Sequence, residues 1–238
     1  MSPLQRLLDL IYPPRCYGCD APAPAPGFCT ACSRALLPPP AAHCPVCEHP
    51  VATAASPQRL CGRCLVDPPA FRRARACFRL GPGDDPLRTA VHRFKYGRDT
   101  ALANGLGALL AAGRHRLDAC DVVVPVPLHV ERLRWRGFNQ ALLLARRLCH
   151  AGAIRLAVDC LVRNRPTLPQ VALDEKARRH NVAGAFAVAH RDAIAGRRVL
   201  LVDDVLTTGS TVDECSRALR RAGAAAVDVL VLARAVRA

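Results

Sequence analysis

The sequence predicts an α/β fold, a parallel sheet flanked by helices, preceded by a small cysteine-rich module over residues 1–68. Four Cys-x-x-Cys pairs are confined to the first 64 residues, among many prolines. From residue 71 onward, apolar runs of strand length alternate with helical patterns, the signature of a parallel sheet covered on both faces. At 198–211 an apolar run, two carboxylates and a loop of hydroxyls and glycine lead into a further helical pattern. At 238 residues the chain has room for one sizeable core and an accessory unit.

The chain opens with Leu4, Leu7, Leu8 and Ile11 at helical spacing, interrupted by Asp9. This reads as an amphipathic docking helix, because a signal peptide needs a continuous apolar stretch and a small-residue cleavage site. No apolar run approaches the roughly 20 residues that span a bilayer. The expected location is the cytoplasm.

The pairs are Cys16 and Cys19, Cys29 and Cys32, Cys44 and Cys47, Cys61 and Cys64. Each can grip one side of a tetrahedral zinc, so two pairs close a four-thiolate site and two structural zincs are expected. Sequential ligation, first pair with second and third with fourth, is the expected order, with interleaving the alternative. A disulfide framework needs an oxidising compartment, and a thioredoxin-like motif needs one pair beside a strand-helix unit. Neither fits. A closed set of thiolates leaves no position for a reactive water, and so proline-rich a segment depends on metal for its folding free energy. His43 and His49 are bystanders, and Cys77, Cys120, Cys149, Cys160 and Cys215 read as buried free thiols.

In the second domain, residues 69–238, helices are expected over 87–110 and 138–148 and strands over 122–126, 199–202 and 227–232. The helix after the hydroxyl loop should run over 212–222 and close at Gly223. Ligands of open α/β sheets bind beyond the carboxyl ends of the strands, where helix N-termini point. Backbone amides and hydroxyls of Thr207, Thr208, Gly209, Ser210 and Thr211 can converge on a phosphate there. Asp203 and Asp204, just before them, can accept hydrogen bonds from vicinal ribose hydroxyls, so the expected ligand is a 5'-phosphorylated ribose. A Walker B strand would also end in acids, but the chain has no Gly-Lys pair for the companion loop. The structural alternative is an ordinary helix cap.

The stretch 199–211 resembles the PRPP (phosphoribosyl pyrophosphate) motif of type I phosphoribosyltransferases. Three further segments resemble the ComF (competence protein F) family: Leu-Leu-Asp-Leu-Ile-Tyr-Pro-Pro-Arg-Cys-Tyr-Gly-Cys near the start, Val-Pro-Val-Pro-Leu-His-Val-Glu-Arg-Leu-Arg-Trp-Arg-Gly-Phe-Asn-Gln at 124–140, and 163–170 with 178–186. The resemblance implies a double zinc ribbon followed by a phosphoribosyltransferase-like domain, and a role in DNA uptake during natural transformation. It assigns the ribose hydroxyls to Asp203 and Asp204, which would be the catalytic pair, and the 5'-phosphate to residues 207–211.

The formal net charge of +15 favours anionic partners. Only Lys95 and Lys176 are lysines among 34 basic residues, so part of the arginine excess is read as coding bias. Arg132, Arg134 and Arg136, beside a helix start near Phe138, can hold a pyrophosphate. In the resembling enzymes this is the pyrophosphate loop, and Asn139 and Gln140 fall with it. The stretch 163–181, with Arg163, Gln170, Lys176, Arg178 and His180, resembles a hood that closes over substrate. Magnesium is expected to arrive with the diphosphate, because the protein offers few acids to hold it. No segment reads as a nucleobase pocket for an acceptor. The alternative functions are single-stranded nucleic-acid binding, for which Trp135, Phe138, Phe94 and Tyr96 are the only plausible stacking residues outside the cysteine module, and docking to a competence helicase. Metal analysis of the purified chain should return two zincs; a single zinc would show that one set of cysteines is idle.

Overall fold

A computed structural model describes residues 13–51, 59–166 and 181–235, centred on a five-stranded parallel sheet. The expected N-terminal amphipathic helix lies outside these residues. The strands are β1 (Arg73–Leu80), β2 (Val122–Pro125), β3 (Arg155–Leu156), β6 (Arg198–Leu206) and β7 (Ala226–Ala235), in the order β1-β7-β6-β2-β3. A separate antiparallel pair, β4 (Leu161–Arg163) with β5 (Phe186–Val188), stands apart from the sheet.

Period-2 alternation of apolar residues gives the central strands two buried faces. Val199, Leu201, Val227 and Val229 share one apolar cluster with Val212, Cys215 and Leu219 of helix α7 (Ser210–Arg221). Leu200, Val202, Leu230 and Leu232 share the opposite cluster with α3 (Pro86–Tyr96), α4 (Leu102–Ala112) and α6 (Gln140–Gly152). Asp85 caps α3, its carboxylate accepting from the Leu87 and Arg88 amides at 2.8 and 3.0 Å.

The single helix expected over 87–110 is two helices. The chain turns at Gly97 and at Arg98, which has φ +54, and the Asp99 carboxylate accepts from Arg93 at 2.9 Å. Residues expected as a basic loop before 138 instead form helix α5 (Val130–Arg136), capped by His129 and closed by Gly137 at φ +89. The strand expected over 199–202 continues to Leu206, because Asp203, Val205 and Leu206 pair with Val231, Ala233 and Arg234 of the long β7. A parallel ladder uses backbone groups only, so two carboxylates do not end it.

The cysteine module wraps the free edge of β1. Val46 and Leu37 carbonyls accept from the Ala74 and Arg79 amides at 2.7 and 2.9 Å, and the Glu48 carboxylate accepts from the Ala76 amide at 2.6 Å. Glu48 is fully buried and also pairs with Arg116 at 2.5 Å. On one side Tyr17 lies against Gly105, where an added Cβ would meet its ring at 2.4 Å. On the other, Cys44, Cys47, Cys61 and Cys64 join the cluster that contains α7.

Removing a buried charge's partner typically costs about 3 kcal/mol or more. Glu48→Ala should therefore lower the urea midpoint by an amount equivalent to about 3 kcal/mol at unchanged slope, and Glu48→Gln, which keeps an acceptor for Ala76, should lose less. A midpoint unmoved by Glu48→Ala would show that the edge contacts do not hold the module.

Candidate functional site

Among the described residues, the cysteine clusters and a cleft at the carboxyl end of the sheet carry chemistry. The cysteines form two groups, Cys16, Cys19, Cys29 and Cys32, and Cys44, Cys47, Cys61 and Cys64, each with its sulfurs within 4.8 Å of one another. Sulfurs about 2.3 Å from a tetrahedral zinc lie about 3.8 Å apart. Cys19 and Cys29 stand at 3.9 Å and Cys47 and Cys61 at 3.6 Å, so the donor sets fit the metal. The grouping is the sequential one.

Both groups repeat one design. The amide of Asp20 bonds the Cys16 carbonyl and that of Glu48 the Cys44 carbonyl, with Asp20 and Glu48 both left-handed at φ +61 and +60. The second pair then opens a short helix, with Cys29 capping α1 (Thr30–Arg34) and Cys61 capping α2 (Gly62–Val66). His43 bonds the Pro40 carbonyl and His49 meets Arg234, and neither belongs to a cysteine group.

The cleft has a volume of about 420 Å³ and lies at the tip of β6. Strand alternation sends Asp203 and Asp204 to opposite faces of that tip. Asp204 is buried and receives Lys95 of α3 at 2.8 Å. Asp203 accepts from the Asp204 amide at 2.9 Å. Desolvation, reinforced by the neighbouring Asp204 charge, pushes its carboxyl up to about 7.

Beyond the acids the chain turns at Gly209, φ +83, into α7. Thr207, Gly209 and Thr211 line the cleft, while the hydroxyls of Thr208 and Ser210 bond each other at 3.0 Å. The first amides of α7 thus open at the cleft beside the acid pair.

The opposite wall is basic. Arg132 and Arg136 line the cleft one helical turn apart on α5, and Arg134, between them, is exposed and outside the lining. Arg136 is buried, donates to Gln140 Oε1 at 2.6 Å and lies 5.4 Å from the Tyr96 ring centre. Burial pushes its guanidinium below the usual value, and does the same at Arg163, where Arg132 adds repulsion. Arg163, on β4, lines the same cleft against Phe186. Gln140 is 2% exposed, and its Nε2, like Arg136 Nε, is buried with no hydrogen-bond partner. Nε of Arg73, Arg114 and Arg234 is likewise buried without a partner among the described residues, away from the cleft, so what marks the cleft wall is the carboxamide donor of Gln140.

Asn139 lines the cleft and also builds it, its carboxamide capping α6 at the Ala141 amide and donating to the Val126 carbonyl, both at 3.0 Å. Gln170 and Arg178 lie outside the described residues. Of the four aromatics considered for stacking, Phe94 and Phe138 pack on each other with ring centres at 5.6 Å, while Tyr96 and Trp135 line the cleft. Lys95 was not among the expected site residues. Its one signal is that it is a lysine in a chain where 32 of 34 basic residues are arginine.

Residues 7–65 match the double zinc ribbon domain and residues 136–237 the phosphoribosyl transferase domain. The chain is 35% identical over 233 residues to DNA utilization protein YhgH of Escherichia coli (strain K12), covering 94% of this chain and 99% of that protein. It is 33% identical to Competence protein F of Haemophilus influenzae, covering 88% and 91%, and 28% identical to Competence protein ComFC of Bacillus subtilis, covering 77% and 73%. With zinc-ribbon cysteines, an acid-tipped strand and a phosphoribosyl transferase domain all in place, the chain belongs to the ComF family.

Proposed function

We propose that the cleft binds PRPP as its magnesium complex, and that the chain serves DNA utilization or competence through that ligand. The observation that carries this reading is the buried, unpartnered carboxamide donor of Gln140, in a cleft that also holds an acid pair and a helix-opening hydroxyl loop. A sugar with phosphates at both ends satisfies all three. The 5'-phosphate sits on residues 207–211, the ribose hydroxyls on Asp203 and Asp204, and the diphosphate on Arg132, Arg136, Gln140 and Arg163. Arg134, exposed on the far side of α5, plays no part. Gln170 and Arg178, which the family resemblance assigns to the same diphosphate, lie outside the described residues.

Magnesium bound with the diphosphate neutralises its charge and eases its departure. Were the chain to transfer the sugar, the bond from C1 to the diphosphate oxygen would break, the oxygen leaving with the electron pair, as an acceptor's lone pair forms the new bond to C1 and the acceptor gives its proton to solvent. Asp203 and Asp204 position the ribose, and the arginines receive the leaving charge. The cytoplasm, which keeps thiols reduced, is the compartment that suits eight zinc-binding cysteines.

Among the described residues no helix is long and apolar enough to cross a membrane. The alternative partners, single-stranded DNA or a helicase, draw less from this geometry, since of the four aromatics available for stacking Phe94 is buried in the core and the half-buried Phe138 packs on it.

Calorimetry should detect Mg-PRPP binding to the unsubstituted chain and its loss in Asp203→Ala, with Arg136→Ala weakened about tenfold or more, as for loss of a charged hydrogen bond. Equal binding by all three would reject the site. Because Asp203 titrates near 7 and its ionised form is the acceptor for the sugar hydroxyls, affinity should rise as pH rises through about 7. Stability runs the other way. A carboxyl with a raised folded value stabilises fully below its unfolded value near 4, and that contribution is lost as pH climbs through about 7. Asp203→Asn should therefore raise the thermal midpoint at pH 8 and leave it unchanged at pH 4, and a gain of equal size at both would exclude titration of Asp203 as its cause.

A further inference from the structure

The second cysteine group reaches the phosphate loop as well as covering the sheet. Arg63 lies between Cys61 and Cys64 on α2, half-buried, and its Nη1 stands 3.6 Å from where a Cβ would project from Gly209. Gly209 is the left-handed residue that turns the loop into α7.

α2 is held against α7 by several independent contacts. Arg217 bonds Asp213 at 3.1 Å and lies 4.0 Å from Asp67, just past α2, and the Ala70 amide donates to Asp213 at 2.7 Å. Cys61 and Cys64 share an apolar cluster with Val212 and Cys215 of α7. Four thiolates on one metal would fix the short helix that carries Arg63, and with it the point from which the guanidinium projects.

The loop Thr-Thr-Gly-Ser-Thr contains no cation of its own. The cations that line the cleft come from α3, α5 and β4. A phosphate monoester carries about −1.5 to −2 charges near neutral pH, and a fixed cation within a Debye length of about 8 Å attracts it. Arg63 is outside the cleft lining, so it acts across the loop, as a positioning residue, through its field.

We propose that Arg63 is the positioning cation of the 5'-phosphate loop, so that zinc in the second ribbon and a sugar phosphate in the cleft strengthen each other's binding. This rests on the PRPP reading of the cleft. Coupling of two sites is reciprocal: if zinc improves the phosphate site, the phosphate must retain the zinc.

The test uses the full zinc-loaded chain, titrated with ribose 5-phosphate and with Mg-PRPP. Arg63→Gln should keep two zincs and bind both ligands about tenfold more weakly, the effect of removing one fixed positive charge within a Debye length of the phosphate. Arg63→Lys, which keeps the charge, should stay within about threefold of the unsubstituted chain. A purely structural role would not separate these two variants. In the unsubstituted chain, saturating ribose 5-phosphate should slow release of one of the two zincs to a chromogenic chelator, a measurement that needs no variant to fold.

Unsubstituted affinity in a zinc-replete Arg63→Gln overturns the proposal, as does zinc release indifferent to ribose 5-phosphate in a chain that binds it. If the unsubstituted chain binds neither ligand, it is the reading of the cleft that fails.

Discussion

The open edge of β1 is the constraint on which the rest of the molecule depends. A parallel sheet must end somewhere, and an exposed edge leaves a row of backbone groups seeking partners. Here the partners are Val46, Glu48 and Leu37, all from the cysteine module. That module has little apolar surface of its own and takes its order from metal. Metal binding, edge closure and burial of Glu48 against Arg116 therefore form one energetic unit. The two metal groups straddle the edge, one reaching the α3 and α4 face through Tyr17, the other the α7 face through its four buried cysteines.

At the opposite end of the strands, charge is separated by the pleat. Asp203 and Asp204 are neighbours in sequence but face opposite sides of β6, so only Asp204 makes the ion pair with Lys95, whose charge Asp203 feels at longer range. Asp204 is satisfied by Lys95. Asp203, desolvated and next to a like charge, is held near the midpoint of its titration at neutral pH. Across the cleft the imbalance is reversed, with the guanidiniums of the buried Arg136 and the half-buried Arg163 pushed below their usual values. On the proposed reading, a ligand with hydroxyls at one point and a diphosphate at another would meet both needs.

Much of this was legible in the chain. Cysteine spacing specified both metal groups and the sequential grouping matched expectation, because a Cys-x-x-Cys turn is a local structure. Strands β2, β6 and β7 and the cap at Gly223 followed from local apolar pattern and backbone preference, whereas β1, β3, β4 and β5 were not expected. Three features were not legible for one shared reason: they depend on neighbours remote in sequence. β6 outruns its apolar run because β7 is long enough to pair with it. The Arg132, Arg134 and Arg136 series looked like three equivalent loop cations until helix α5 turned the middle one away. Lys95 lies more than 100 positions from Asp204, and only the packing of α3 against the sheet joins them.

The sequence by itself determined the parts: two thiolate sets, an acid-tipped strand, a hydroxyl loop opening a helix, and an excess of arginine. Each is written in residues close together, where spacing and backbone preference dictate geometry. Only the tertiary structure decided how those parts combine, which arginines face the acids, which acid is paired and which is left to titrate, and that a residue held between zinc ligands stands beside the phosphate loop. Those outcomes depend on distance and dielectric between groups far apart in the chain, and both arise only when the sheet and its two flanking layers have packed.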